Sequence, residues 1–195
     1  MRVTKTDLEG VLLLEPQTFR DPRGLFLETY HRERYAAAGI DASFVQDNYS
    51  WSKSKTLRGL HYQLTRPQGK LVTVVQGSVF DVVVDVRKGS PTFGRSYEVE
   101  LSGENMRQLY IPQGYAHGFC VLTDEAGFFY KCTDFYRPDD ERGVRWDDPA
   151  LKIAWPLSDP IISAKDRAYK TLAEIDADLP AYRRRESGGS DPLIP

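Results

Sequence analysis

The sequence predicts an all-β fold, a sandwich or jelly roll with short peripheral helices, and three observations carry that prediction. Apolar and polar residues alternate with period two, the β-rich runs are short and closely spaced, and helical periodicity is scarce. The chain has 195 residues, 41% of them hydrophobic, which suffices for one core and gives no sign of a second. Residues 1–182 therefore read as a single domain, followed by a polar tail at 183–195.

In chain order, strand-like runs near 10–14 and 25–30 precede a short helix from Arg32 to Ala38, stopped by Gly39. Runs near 44–50 and 71–76 follow, with Arg58-Gly59-Leu60-His61-Tyr62-Gln63 strand-like between them. Phe80, Val82, Val84 and Val86 then alternate with Asp81, Val83 and Asp85, between the turn signals Gly77-Ser78 and Gly89-Ser90-Pro91. Tyr97, Val99 and Leu101 alternate with Ser96, Glu98 and Glu100, the pattern of a half-buried strand. Runs near 107–111, 117–122 and 127–136 complete the set, and the segment Ala164–Ala177 contains a second helix. The tail is arginine-rich, then rich in Gly, Ser and Pro, with too little apolar surface to fold alone; a disordered tail and a segment packed on a neighbouring subunit both fit it.

Charge and composition exclude several functions. With 26 basic and 28 acidic residues interspersed, the formal charge of −2 provides no basic face for neutralising a phosphate backbone, so no nucleic-acid partner is expected. The N-terminus lacks an apolar signal core and no run reaches bilayer-spanning length, so a cytoplasmic chain without a membrane partner is the expectation. Cys120 and Cys132 lie in apolar runs without metal-ligand spacing and read as buried free thiols. There is no Gly-rich phosphate loop before a helix, so any nucleotide must be recognised by side chains.

The chemistry-bearing residues cluster in a few runs. Strand alternation places His61 and Gly59 on one side and Arg58, Leu60 and Tyr62 on the other. A lone strand histidine is more often a satisfied structural residue than a catalyst. Arg58 and Lys70, however, are costly to bury without anionic partners, so cations beside an inward histidine fit an anionic or oxyanion-forming ligand; the alternative is that both snorkel to the rim. In Phe128–Tyr136, alternation puts Tyr130 and Tyr136 on one face, as proton donors or as packing. Asp166, in Ser163-Ala164-Lys165-Asp166, either caps the helix or orients a histidine; spacing leaves both open.

Pro112-Gln113-Gly114-Tyr115-Ala116-His117 resembles the second cupin motif, PxGxxH, whose histidine is often a metal ligand. The HxH pair of the first cupin motif is missing: only His61 stands there, followed by Tyr62 and Gln63. A cupin-type double-stranded jelly roll that has lost or never had its metal is the expectation.

A longer pattern contains these residues. Phe19-Arg20-Asp21-Pro22-Arg23-Gly24-Leu25-Phe26-Leu27-Glu28, Gln46-Asp47-Asn48-Tyr49-Ser50 and the stretches 57–63, 68–72, 81–87, 90–94, 111–119, 130–131 and 163–166 resemble the dTDP-4-dehydrorhamnose 3,5-epimerase family and related dTDP-4-keto-6-deoxyhexose epimerases. The resemblance runs in order over roughly residues 1–175. It implies a homodimeric, cofactor-free cupin enzyme of rhamnose or deoxysugar biosynthesis, with N-terminal strands exchanged between subunits. By this resemblance His61 is the base, Asp166 its orienting partner and Tyr130 the acid on the opposite face of the sugar. Arg58, Lys70 and His117 line the sugar and phosphate region, with Lys70 and His117 nearest the ketone oxygen. Arg23, Glu28, Gln46 and Asn48 match nucleotide-binding positions, Asp47 is counted among the substrate-binding residues, and Phe19 and Phe26 match positions that pack the base. Glu141 and Lys165 carry over in the same way, and Tyr136 is a position at which pocket differences between related enzymes can be expressed.

The chemistry agrees with those residue types. A C4 ketone acidifies the protons on C3 and C5, so a base can remove either one when donors stabilise the enolate, with no redox cofactor. Three other readings compete: a mono-epimerase inverting only C3 or C5, a metal-dependent cupin oxygenase, and a non-catalytic sugar-nucleotide-binding cupin. The missing HxH disfavours the oxygenase, and the joint presence of His61, Tyr130 and Asp166 disfavours the non-catalytic protein.

Overall fold

Two antiparallel sheets face each other across the main core in this computed structural model, which describes residues 1–183. The tail expected at 183–195 lies, apart from Arg183, outside the described residues. The strands are β1 (Arg2–Lys5), β2 (Leu12–Glu15), β3 (Thr18–Asp21), β4 (Gly24–Leu27), β5 (Gln46–Lys53), β6 (Leu57–Gln63) and β7 (Lys70–Gln76). They continue as β8 (Ser78–Asp85), β9 (Ser96–Ser102), β10 (Gln108–Ile111), β11 (Tyr115–Val121), β12 (Glu125–Cys132) and β13 (Glu141–Gly143). One sheet has the order β1-β2-β10-β7-β12-β5, the other β13-β6-β11-β8-β9, and β3 and β4 form a separate hairpin. This is the all-β jelly roll expected of the alternation.

Each sheet buries its inner face for the reason period two dictates. Val72 and Val74 of β7, Leu109 and Ile111 of β10, and Ala126 and Phe128 of β12 meet Val79 and Val83 of β8, Leu101 of β9, and Phe119 and Val121 of β11. The second sheet is also buried outside. Leu60, Tyr62, Val82, Val84, Val86 and Ala116 pack beneath Val144, Leu151 and Leu172 of the C-terminal segment, which explains why β8 is apolar at nearly every position. The first sheet is covered outside at one end only, where Leu12, Leu14, Leu71 and Tyr110 meet Tyr35 and Ile40.

Tyr35 comes from α1 (Arg32–Ala37), whose N-cap His31 accepts a hydrogen bond from the Arg34 amide; the helix stops before Gly39, as expected. The second helix is shorter than its segment: α2 spans only Ala164–Arg167, and the chain continues through 3-10 turns at Leu172–Glu174 and Asp176–Asp178. Among the described residues no helix is long and apolar enough to cross a membrane, and Cys120 and Cys132 are buried free thiols.

Candidate active site

The inner faces of the two sheets carry the polar residues at one end of the core. Antiparallel partners share a face, so the pairing of His117 with His61 and of Phe119 with Arg58 places all four on the inner side. Between those pairs β6 spends one residue more than β11, a β-bulge that turns Arg58 and His61 to the same face. This corrects the alternation-based expectation that put them on opposite sides. Gly59, in the bulge, has φ of 109° and lies so close to β11 that a Cβ would stand 2.6 Å from the Gly118 Cα, so only glycine fits.

His61 is held by a carboxylate from far along the chain. Ser163 caps α2 by accepting from the Asp166 amide, which leaves the Asp166 side chain free of capping duty. That carboxylate lies 2.8 Å from His61 Nε2 and accepts from the Gly59 amide at 3.2 Å. Burial works to raise the Asp166 pKa, but the His61 bond and charge and the Gly59 and Ser163 bonds outweigh it and hold the carboxyl below its ordinary value. With Nε2–H donated to Asp166, Nδ1 keeps its lone pair, the form a general base needs.

His117 has its own carboxylate. Its Nε2 lies 2.9 Å from Asp81 Oδ2, and the His117 and Asp81 side chains are 7% and 0% exposed. Burial lowers the His117 pKa more than Asp81 raises it, so the imidazole is neutral. Asp81 stands on the inward half of β8 between Val79 and Val83, and a carboxylate on that apolar face was the sequence signal for a buried partner. Lys70, at the start of β7, has its pKa lowered by burial, with the nearby Cys132, Glu141 and Asp81 acting in the other direction.

Tyr130 faces these groups from β12, in register with Val72 of β7 and Asn48 of β5. An aromatic floor links the two sheets: Phe119 and Phe128 stack at 4.2 Å, and the Phe128 ring lies 6.0 Å from His117 and 5.9 Å from Tyr130. Burial pushes the Tyr130 phenol up to about 12, although the charge of Arg58 acts against that, so it is a neutral proton donor at pH 7. Arg58 Nε donates to Ser52 Oγ of β5 at 3.0 Å, tying β6 to the facing sheet.

Other expected residues divide into two groups. Gln46 and Asn48 face inward and are joined at 3.0 Å, and Asn48 Nδ2 also reaches Cys132 Sγ at 3.6 Å. Asp47 points out the other side of β5, where it pairs with Lys131 at 2.8 Å; period two separates it from its neighbours and removes it from the site. Strand β12 ends at Cys132, so alternation does not carry through to Tyr136; the loop brings Tyr136 to Glu141 instead, and their hydrogen bond follows burial as a cause of its raised pKa. Glu141 accepts from Lys165 and from the Tyr169 hydroxyl at 2.9 Å; burial works to raise its pKa, but the Lys165 bond together with the His61 charge and the Tyr136 and Tyr169 bonds lowers it.

Phe19, Arg23 and Phe26 are held apart from this cluster. Phe19 and Phe26 are paired across β3 and β4 with ring centroids 6.4 Å apart, and they are 55% and 69% exposed. No residue of that hairpin enters a buried cluster, and Arg23 is paired with Asp21. Glu28 is bound to Arg34 at 2.8 Å, on the α1 side. Among the described residues no group of three or more His, Cys, Asp or Glu side chains is placed to hold a metal ion.

The arrangement combines an anion-held imidazole on one sheet with a protonated phenol and the half-buried Lys70 side chain on the other. Comparisons with known proteins give the family. The family model described as dTDP-4-dehydrorhamnose 3,5-epimerase matches residues 5–174. A protein of Pseudomonas aeruginosa named dTDP-4-dehydrorhamnose 3,5-epimerase is 52% identical over 178 residues, covering 90% of this chain and 98% of its own. A Streptomyces niveus protein named dTDP-4-dehydrorhamnose 3-epimerase is 42% identical over 186 residues, covering 93% and 90%. The crystal structure of the Legionella pneumophila dTDP-6-deoxy-D-glucose-3,5-epimerase, in complex with dTDP-4-keto-L-rhamnose, superposes with a TM-score of 0.91 at 49% identity, covering 94% of this chain and 99% of that one. With a matching model over most of its length and relatives at this identity, the chain belongs to the dTDP-4-dehydrorhamnose 3,5-epimerase family.

Proposed function

We propose that the protein epimerises dTDP-4-keto-6-deoxyglucose at C3 and C5 to give dTDP-4-keto-L-rhamnose. The observation that carries this reading is the opposition of His61 on β6 and Tyr130 on β12: a sugar entering between the sheets meets a base on one face and an acid on the other. His61 Nδ1 takes the proton from a carbon beside the ketone, and the electron pair moves onto the C4 oxygen as an enolate. Lys70 is the donor that stabilises that oxygen, in a site where burial strengthens the interaction, while His117, whose one N–H goes to Asp81, packs beside it. The Tyr130 hydroxyl then protonates the carbon from the other face as the electron pair returns from the oxygen, inverting it; His61 gives up its proton and Tyr130 regains one through solvent before the same sequence repeats at the second carbon.

The rest of the predicted set supports nucleotide binding. Gln46, Asn48 and Arg58 line the inner face near Tyr130, and Glu141, Lys165 and Tyr136 close the β13 side. Phe19, Arg23 and Phe26, on an exposed hairpin with a hollow of about 440 Å³ along it, are suited to reach the site of a second subunit, as is Glu28 beside it. A homodimer with exchanged arms is the corresponding assembly, and the exposed Tyr49, Trp51 and Val75 offer it an apolar sheet face. Two buried free thiols suit a cytoplasmic location.

Proton NMR of dTDP-4-keto-6-deoxyglucose with the protein in deuterated water tests this reading. Exchange at both C3 and C5, with the rhamnose-configured ketone trapped by a reductase, is the expected result; exchange at neither would overturn it. Exchange at C3 alone would favour the mono-epimerase, the activity named for the Streptomyces niveus relative. In Tyr130→Phe, exchange is expected to survive within about tenfold while net inversion falls at least a hundredfold, as loss of one proton-transfer group requires.

A further inference from the structure

We propose that Tyr169 is a positioning residue that fixes the plane of the His61 imidazole; the proposal deepens the epimerase reading and rests on it. Tyr169 lies just beyond α2, with its amide 3.4 Å from the Asp166 carbonyl, and so is carried by the same turn that delivers the Asp166 carboxylate. Its ring meets the His61 ring edge to face, with centroids 5.7 Å apart and planes at 72°. Its hydroxyl donates to Glu141 Oε1 at 2.9 Å.

The ring is clamped from beneath. Gly143 of β13 is paired with His61, and a Cβ on Gly143 would stand 2.3 Å from Tyr169 Cε2, so the ring lies against bare backbone at the residue beside the base. The need for this wall follows from the geometry of His61. The Asp166 bond holds one ring nitrogen, Nε2, and a single hydrogen bond leaves the imidazole able to swing about it. Tyr169 against the ring removes that freedom and aims Nδ1 into the space between the sheets. The aromatic body does the positioning, while the hydroxyl, through Glu141, holds the aromatic body.

Three variants and two readouts test this. Tyr169→Leu is expected to lower kcat about 10- to 100-fold with KM within about twofold, since loss of orientation slows proton abstraction without removing a substrate contact. Substrate deuterated at C5 is expected to show a larger isotope effect on kcat in that variant. Tyr169→Phe keeps the ring and is expected to stay within about threefold of wild type, while Gly143→Ala, which pushes the ring off its seat, follows Tyr169→Leu. Folding is checked by circular dichroism. Unchanged kcat and isotope effect in folded Tyr169→Leu would overturn the proposal, as would a Tyr169→Phe variant equally impaired. The second readout needs no activity: the His61 ring C–H resonances carry the ring-current shift of Tyr169 in wild type and Tyr169→Phe and lose it in Tyr169→Leu. A His61 spectrum identical in all three sinks the positioning role even if the epimerase reading fails, and an inactive wild type with the expected spectra sinks only the epimerase reading.

Discussion

Two histidines stand side by side on β6 and β11, each bound to an aspartate at nearly the same distance, 2.8 Å for His61–Asp166 and 2.9 Å for His117–Asp81, yet they have different work. The Asp81 carboxylate comes from β8, the strand next to β11 in the same sheet, and the pair is sealed in the core. Asp166 comes from α2, packed against β6, and leaves the His61 side chain 25% exposed. Residue type does not separate a base from a fixed hydrogen-bonding group here; access to the space between the sheets does. A sealed imidazole is kept neutral by burial, whereas the part-exposed His61 ring can be reached by a substrate.

The comparison breaks most sharply at His61. In His61→Ala, solvent-deuterium incorporation into the 4-keto sugar nucleotide is expected to fall by at least about a thousandfold, far more than the modest fall in thermal midpoint from leaving the buried Asp166 carboxylate with the Gly59 amide. Retained exchange would take the base role away from His61. Asp166→Asn is next. It keeps the shape but removes the charge that fixes the tautomer and stabilises the imidazolium, and kcat is expected to drop about a hundredfold with KM nearly unchanged. Steady-state kinetics on the purified variant decide it.

Asp81→Asn reverses the balance between activity and stability. Asn keeps an acceptor for the neutral imidazole but removes the charge from a buried hydrogen bond worth about 1.5–3 kcal/mol, so a fall in the denaturation midpoint is expected, with a smaller activity loss, about tenfold. Equal stability of Asp81→Asn and wild type would show that the two pairs are not different in kind. The smallest effect is on pH. Burial lowers the His117 pKa below its ordinary 6.5, so as pH falls through that value the unfolded chain takes the proton first and folded stability declines. The thermal midpoint is expected to drop by a few degrees between about pH 7 and 5, and His117→Asn to flatten that slope. Asp166, held below its ordinary 3.8, loses its contribution only at more acid pH, outside that window.

Much of the site was legible because it lies on strands whose alternation is local. His61, Lys70, His117 and Tyr130 occupy inward positions as their patterns require, and Gln46 and Asn48 share a face. Arg58 was misplaced because a bulge adds one residue to β6, and an insertion of that kind depends on the partner strand, here on how closely Gly59 approaches Gly118. Tyr136 was placed by an alternation that stops when β12 loses its neighbours at Cys132. Asp47 entered with its neighbours in a matching stretch, although period two alone already assigns it to the other face. Tyr169 left no signal, since an aromatic after a short helix packs anywhere until Gly143 and Glu141 are placed beside it.

By itself the sequence determined the all-β class and the identity of the chemical groups, because strand period, turn residues and residue chemistry are properties of short segments. Only the tertiary structure decided which histidine meets solvent, which carboxylate serves it and what stands opposite. Those choices depend on contacts between residues as far apart as His61 and Asp166, 105 positions in the chain, and on the burial that packing two sheets together creates.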